Sequence, residues 1–190
     1  MIKLIFLAGS IRKHSYNRRL AQLACRIATD KGAEAEFIEL ADYDMPLFNE
    51  DLEHEQGLPE TARLLKSKFE QCDGFFIASP EYNSSITPLL KNTIDWISRK
   101  ESDTEKPLSA FKGKVAALGS ASPGALGGLR ALVVVRMLLG NIGVHVCPTQ
   151  VAISNAADAF NENGVIVSGH LKLLDATIDE LIATTKAHNA

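Results

Sequence analysis

Cysteine is scarce in this chain of 190 residues, and the three cysteines, Cys25, Cys72 and Cys147, lie far apart and form no CxxC pair. This spacing excludes a disulfide framework and a cysteine zinc site, because both need cysteines in pairs. The five histidines are also scattered, so no metal site is predicted. Reduced, partly buried thiols are typical of a cytoplasmic protein, and that is the location we expect.

The sequence has no apolar run of transmembrane length, and Met1 is followed at once by an apolar segment instead of the basic region that opens a signal peptide. It also lacks an excess of positive charge, since 20 Lys and Arg are offset by 23 Asp and Glu, for a net charge of −3. We therefore expect no membrane and no nucleic-acid partner. The length suits a single domain, residues 1–190.

The first segment, MIKLIFLAGSIRKHSYN, changes character abruptly. Residues 2–7 are almost all apolar, as in a strand buried on both faces, and Gly9-Ser10 ends the run. A polar, basic loop follows, and from Arg18 apolar residues return at helical spacing. Hydroxyls, cations and backbone N–H groups at a helix N-terminus favour an anion, and we expect a phosphate. The loop is neither a P-loop nor a GxGxxG fingerprint.

The rest of the chain alternates between strands and helices. We predict strands at 2–7, 35–40, 75–78, 115–118 and 144–153, and helices that begin at Arg18 and span 60–71, 88–99, 129–141 and 170–187. Residues 41–59 form a long acidic loop, and 155–168 are expected to be irregular. Such alternation predicts an α/β fold, with a parallel sheet covered by helices on both sides.

Three loops rich in glycine, serine or proline follow the first, third and fourth predicted strands. They are Gly9–Asn17, Ser79–Ser85 and Gly119–Gly124. Because the carboxyl ends of parallel strands share one edge of the sheet, we expect all three loops to converge there. The combination predicts a pocket for a planar ligand that carries a phosphate.

These loops resemble the NADPH-dependent FMN reductase family, which includes quinone, azo-dye and chromate reductases. The resemblance implies a flavodoxin-like three-layer αβα sandwich with strand order 2-1-3-4-5. It also implies bound FMN, NADPH or NADH as reductant, and a quinone, flavin or dye as acceptor. Ser84 and Thr87 depart from the family pattern and leave substrate preference open. The matching motifs are Gly9-Ser10-x-Arg12-x-x-Ser15-x-Asn17, Ser79-Pro80-Glu81-Tyr82-Asn83-x-Ser85, Leu90-Lys91-Asn92-x-Ile94-Asp95-Trp96-x-Ser98-Arg99 and Ser122-x-Gly124-x-x-Gly127-Gly128-x-Arg130.

The residue types in the first loop suit a flavin phosphate. Hydroxyl and amide groups of Ser10, Ser15 and Asn17 can donate hydrogen bonds to it, and Arg12 supplies a planar, charged fork. The resemblance implies that the backbone N–H groups of Glu81–Asn83 point at the isoalloxazine edge, after Pro80 has fixed the chain. Tyr82 is expected beside the ring, and Ser122 and Gly124 at its pyrimidine side.

No side chain is predicted to act as a catalytic acid, base or nucleophile, because the flavin carries the hydride chemistry. Glu81 is therefore not assigned as a proton carrier. Asn92, Asp95 and Trp96 are expected to serve helix packing or an interface. The sequence also admits a flavodoxin-like electron-transfer protein without substrate turnover, although the TxTGxT-like first loop of that class is missing.

The predicted helix 129–141 is unusually apolar. From Leu132 to Leu139 apolar side chains cover most of its circumference, whereas a helix of a lone αβα domain needs only one buried face. An exposed apolar surface of this breadth indicates an interface. We expect a homodimer or homotetramer with the helices 88–99 and 129–141 at the contact, which is also what the family resemblance implies.

Overall fold

The structure is a computed structural model that describes residues 1–161, 163–167 and 169–189. Its centre is a five-stranded parallel sheet with the order β2-β1-β3-β4-β5. The predicted flavodoxin-like α/β fold and its strand order are confirmed. The strands are β1 (Lys3–Ala8), β2 (Glu34–Ile38), β3 (Gly74–Ala78), β4 (Val115–Ala121) and β5 (His145–Ile153), and the helices are α1 (Tyr16–Asp30), α2 (Glu50–Gln56), α3 (Glu60–Gln71), α4 (Pro88–Ile97), α5 (Leu129–Asn141), α6 (Ala156–Ala159) and α7 (His170–His188).

The apolar residues of β1 divide between two cores. Phe6 packs with α1 and α7 on one side of the sheet, whereas Ile5 and Leu7 pack with α3, α4 and α5 on the other side. All three side chains are almost completely buried. The near-continuous apolar pattern of β1 is therefore explained by helices on both faces.

Several predicted boundaries were wrong. β4 continues through Ala121, three residues beyond the predicted end, and β2 ends at Ile38 because Leu40 starts a short 3-10 helix. The described residues form seven α-helices instead of the five predicted, since α2 lies in the supposed loop 41–59 and α6 in the supposed irregular segment 155–168. Positions 162 and 168 of that segment lie outside the described residues.

The segment 41–59 is fastened to α4 by two side chains. Asn92 accepts a hydrogen bond from Phe48 N (2.7 Å) and donates one to Pro46 O (3.0 Å). Trp96 is fully buried, and its indole N–H donates to Pro46 O (2.7 Å). Both residues therefore serve packing within the chain.

None of the described helices combines the length and hydrophobicity that a membrane crossing requires. The three cysteines are free, and Cys72 and Cys147 are buried. Burial raises the pKa of the Cys72 thiol to about 11, so that this side chain stays protonated near neutrality.

Candidate functional site

A small cavity lies at the carboxyl edge of the sheet, where the loops after β1, β3 and β4 meet. The β1 loop is held in place by Gly9, whose N–H donates to Ala78 O (2.9 Å) and whose carbonyl accepts from the hydroxyl of Thr87 (2.7 Å). The cavity has a volume of about 120 Å³. It is lined by Ser10, Arg12, Ser15, Tyr16, Asn17, Pro80, Glu81, Tyr82, Ala121, Ser122 and Pro123. The structure thus brings together eight of the ten predicted site residues.

The first loop ends at the N-terminus of α1. The hydroxyl of Ser15 caps this helix by accepting a hydrogen bond from Arg18 N (3.3 Å), and Ser10 Oγ accepts from Arg12 N (3.3 Å). Both serines are buried, whereas Arg12 is exposed. The first turn of α1 holds no acidic residue, so its partial positive charge is available to an anion.

Tyr16 is a lining residue that the sequence reasoning missed. Its ring stacks on Phe160 (6.3 Å between centroids), and the guanidinium groups of Arg12 and Arg19 lie 5.7 and 6.0 Å from its centroid. A cation held over an aromatic face loses less freedom when it binds an anion. The only sequence signal for this role is the position of Tyr16 between Ser15 and Asn17 of the first motif.

The side chain of Asn17 forms hydrogen bonds within the protein that its predicted role, donation to a phosphate, did not include. Its side chain donates to Ala121 O (2.8 Å) and accepts from Ala121 N (2.9 Å), and the residue is buried. Asn17 therefore joins the start of α1 to the end of β4. This link sets the spacing between the first and third loops.

The second loop contains a tight turn at its tip. Tyr82 and Ser85 exchange backbone hydrogen bonds (2.9 and 3.0 Å), while Asn83 and Ser84 have φ values of +50° and +66°. Two consecutive positive φ angles are the signature of a type I′ turn, which asparagine adopts readily. Asn83 is exposed and does not line the cavity, whereas Tyr82 stands at the rim with 53% of its surface exposed.

Glu81 is engaged in a partly buried ion pair with Arg130. Its carboxylate accepts from Arg130 Nε (2.7 Å) and from the backbone N–H of the same residue (3.1 Å). The hydrogen bond from the Arg130 side chain lowers the pKa of Glu81. A carboxylate held ionised in this way joins the second loop to α5 and is unsuited to proton transfer near neutral pH.

We expect Glu81→Gln to reduce the dependence of the free energy of unfolding on pH in the acidic range. The pKa of Glu81 in the folded state lies below its ordinary value of 4.5, so the ion pair stabilises the fold fully above that value. The stabilisation is lost as the pH falls through the folded-state pKa. Urea unfolding between about pH 7 and about pH 3 should show a steeper loss for the wild type than for the variant. Parallel losses would contradict this assignment.

The third loop begins later than predicted, because Gly119 and Ser120 belong to β4. Ser122 Oγ accepts from Gly124 N (3.2 Å), and Gly124 does not line the cavity. Ser120 is buried in the strand and donates to Gly127 O (2.6 Å). The glycine-rich part of this loop is therefore fixed against the end of β4.

The lining offers hydrogen-bond donors and a cation, but no paired nucleophile and base. Across the described parts of the chain, no group of three or more His, Cys, Asp or Glu side chains is placed to hold a metal ion. Such a site can bind and orient an anionic cofactor, and the chemistry then belongs to the cofactor.

Comparisons with known proteins point to one family. Residues 2–158 match the family described as NADPH-dependent FMN reductase. The chain is 42% identical to an NAD(P)H:quinone oxidoreductase of Solanum tuberosum over 67% of its own length and 62% of that protein. It is 36% identical to an NAD(P)H-dependent FMN reductase of Pseudomonas aeruginosa over 95% of its own length and 89% of that protein.

A solved structure is similar over nearly the whole chain. It is the flavoenzyme NAD(P)H:(acceptor) oxidoreductase FerB from Paracoccus denitrificans, with 28% identity, a TM-score of 0.83 and 99% coverage of both chains. These relatives are enzymes, which decides against the electron-transfer alternative. The chain belongs to the NADPH-dependent FMN reductase family and is an oxidoreductase that uses FMN as its cofactor and NAD(P)H as its reductant.

Proposed function

We propose that FMN binds with its phosphate in the first loop and its ring between the second and third loops. The observation that carries the proposal is the composition of the cavity, where Ser10, Ser15 and the N-terminus of α1 offer donors beside Arg12. A phosphate in this position receives charge-assisted hydrogen bonds and the favourable end of a helix dipole. The side chains of Tyr82 and Ser122 then border the ring, because the backbone N–H groups of both residues are already donated, to Ser85 O and Ile153 O.

The ligand pocket is incomplete within one chain. Pockets for cofactors usually have volumes of about 300 Å³ or more, whereas this cavity has about 120 Å³. The volume suits the phosphate end of FMN and leaves the ring on an open surface beside Tyr82. A cover for the ring has to come from the reductant, the acceptor or a second subunit.

We further propose a ping-pong reaction with a quinone, free flavin or dye as acceptor. FMN would supply a carrier for two electrons: the hydride of NAD(P)H would pass through it to the acceptor, and the additional proton of a hydroquinone product would come from solvent. The chain's own residues bind and orient the two substrates in turn on the open surface beside Tyr82. Because both substrates need the same flavin face, the oxidised nicotinamide has to leave before the acceptor enters.

Initial-rate kinetics test this order. With NAD(P)H varied at several fixed quinone concentrations, double-reciprocal plots should give parallel lines. Intersecting lines would indicate that both substrates occupy the site together, and they would contradict the proposed mechanism.

We also propose that the protein is a homodimer that shares its flavin sites. A mainly apolar groove of about 620 Å³ lies between α4 and α5 and includes Ile86, Ile94, Val134 and Leu138. At or beside it, Val133 and Met137 are 64% and 61% exposed. Such a surface usually marks an interface. The groove begins at residues 85–86, just after the turn that carries Tyr82, so a second copy seated there would lie beside the ring of FMN.

The variant Met137→Glu tests the dimer. Burying an unpaired carboxylate costs about 3 kcal/mol or more, so the dimer dissociation constant should rise at least about a hundredfold. Sedimentation at micromolar concentration should show a dimer for the wild type and a monomer with reduced FMN content for the variant. Leu64→Glu is the matched control, because Leu64 is 53% exposed on α3 and lies outside the groove. A wild-type monomer with full activity would contradict the shared site.

The cytoplasmic location stays a prediction. It is supported by the three free cysteines, which fit a reducing compartment. Fractionation of cells that express the protein from its own gene would test it.

A further inference from the structure

Positive charge is concentrated at the start of the chain. The first 29 residues contain six Lys and Arg and no Asp or Glu, although the net charge of the whole chain is −3. Five of these cations lie between positions 12 and 26, in the first loop and in α1. The FMN phosphate accounts for Arg12, but not for the others.

The other cations line a groove beside the FMN cavity. This groove has a volume of about 220 Å³ and includes Lys13, Ser15, Arg18, Arg19, Gln22 and Arg26, with residues 163–164 opposite. Ser15 also lines the FMN cavity, so the two spaces adjoin. Ser15, Arg19, Gln22 and Arg26 are spaced by three or four residues and therefore share one face of the helix. The row from Arg19 to Arg26 is about 10 Å long, at 1.5 Å per helical residue.

Within the part of the chain that the structure describes, most of this charge has no carboxylate partner. Arg18 forms an ion pair with Glu39. Among the residues described by the structure, Lys13, Arg19 and Arg26 have no ion pair, and the groove lining contains no Asp or Glu. Arg19 is held against the ring of Tyr16 (6.0 Å). Three cations that line one groove and form no ion pair among the described residues, beside amide and hydroxyl groups, can attract a phosphate dianion.

We propose that this groove binds the 2′-phosphate of NADPH and makes the enzyme prefer NADPH to NADH. The proposal rests on the proposed function, because the nicotinamide must lie against FMN. The adenosine half of the coenzyme then extends out of the cavity. At Ser15, which lines both spaces, it can pass from the cavity into the groove. NADH differs from NADPH only in lacking the 2′-phosphate. Cations that bind this phosphate therefore strengthen the binding of NADPH and not that of NADH.

The test uses the FMN-loaded enzyme and the variants Arg26→Gln and Arg19→Gln/Arg26→Gln. Neither side chain lines the FMN cavity. At one low ionic strength, since salt screens these contacts, kcat/KM for NADPH should fall about tenfold for each cation removed. The value for NADH should stay within about twofold of the wild type, and FMN content should not change. The control is Lys106→Gln, an exposed cation in the connector between α4 and β4 that should change neither value.

Binding of nucleotide fragments separates this proposal from the proposed function. Adenosine 2′,5′-bisphosphate and 5′-AMP differ only in the 2′-phosphate, and their affinities can be measured without turnover. The wild type should bind the bisphosphate more tightly than 5′-AMP; Arg26→Gln should reduce that difference about tenfold, and the double variant should reduce it further. If the enzyme failed to reduce any acceptor but kept this difference, the proposed function would be wrong and the groove assignment would stand.

Three results would overturn the assignment. The first is an equal loss of kcat/KM for NADPH and NADH in the variants, and the second is no loss for either. The third is inorganic phosphate binding as tightly as the bisphosphate, which would show a general anion site. Arg26→Gln alone decides the question if the double variant does not fold, because Arg26 is exposed and its replacement leaves the core untouched.

Discussion

Replacing Gly127 by alanine should destabilise the protein more than any other single change considered above. Gly127 has a φ of +62°, and an added Cβ would lie 2.7 Å from Ile153 C and 2.8 Å from both Ala152 C and Ser154 N. These neighbours are backbone atoms of β5 and the residue after it, which cannot rotate away. The left-handed conformation costs about 1–2 kcal/mol and the overpacking about 1–3 kcal/mol more. We expect a loss of about 2–5 kcal/mol in the free energy of unfolding.

Gly124→Ala is the matched control for this experiment. Gly124 lies in the same loop, but its φ is not in the left-handed region and an added Cβ would meet only Ser122 Oγ, at 3.6 Å. Its unfolding free energy in urea, without added FMN, should stay within about 0.5 kcal/mol of the wild type. Equal stabilities of the two variants would show that the loop is not packed against β5 as described.

Arg12→Ala should weaken FMN binding by about 1–3 kcal/mol, which is about a fivefold to 150-fold rise in the dissociation constant. The reason is the loss of a guanidinium that lines the cavity with Ser10 and Ser15 and forms no ion pair among the described residues, since Glu81 of the same lining is paired with Arg130. Arg12→Lys should recover only part of the affinity, because an ammonium group cannot form two parallel hydrogen bonds to a phosphate. Titration of the apoprotein with FMN measures both effects.

The control for Arg12 is Arg19→Ala, measured in the absence of coenzyme. Arg19 stacks on the same Tyr16 ring but lines the neighbouring groove instead of the FMN cavity. Its FMN dissociation constant should stay within about twofold of the wild type. Wild-type affinity in Arg12→Ala would remove this residue from the FMN site.

The sequence predicted features that depend on local patterns. Apolar runs and helical spacing predicted the positions of the five strands and the main helices to within a few residues. In β1, for example, the side chains alternate between two covered faces of the sheet, and this burial produces the apolar run that marks the strand. The convergence of three loops followed from parallel topology alone. Helix α2 was missed because it is short, acidic and without buried residues, so no apolar periodicity marks it.

The site details that escaped prediction are contacts between residues far apart in the chain. Asn17 bonds to Ala121 across 104 positions, and Glu81 bonds to Arg130 across 49. The stack of Arg12 and Arg19 on Tyr16 needs both the loop and the first turns of α1 in place. Asn83 and Gly124 belong to the matching motifs but do not line the cavity; Asn83 lies in a tight turn, and Gly124 donates its N–H to Ser122 Oγ. Sequence spacing does not specify such geometry.

The most direct test of the account is an anaerobic half-reaction with the purified FMN-loaded protein. The absorbance of the bound flavin should be bleached by NADPH alone, faster than the steady-state turnover rate, and should return when a quinone is then added. Arg12→Ala, reconstituted with saturating FMN, should show the same two phases. Flavin that stays oxidised until the quinone is present, or a protein that binds no FMN, would contradict the central claim that this cavity holds FMN for alternate reduction and reoxidation.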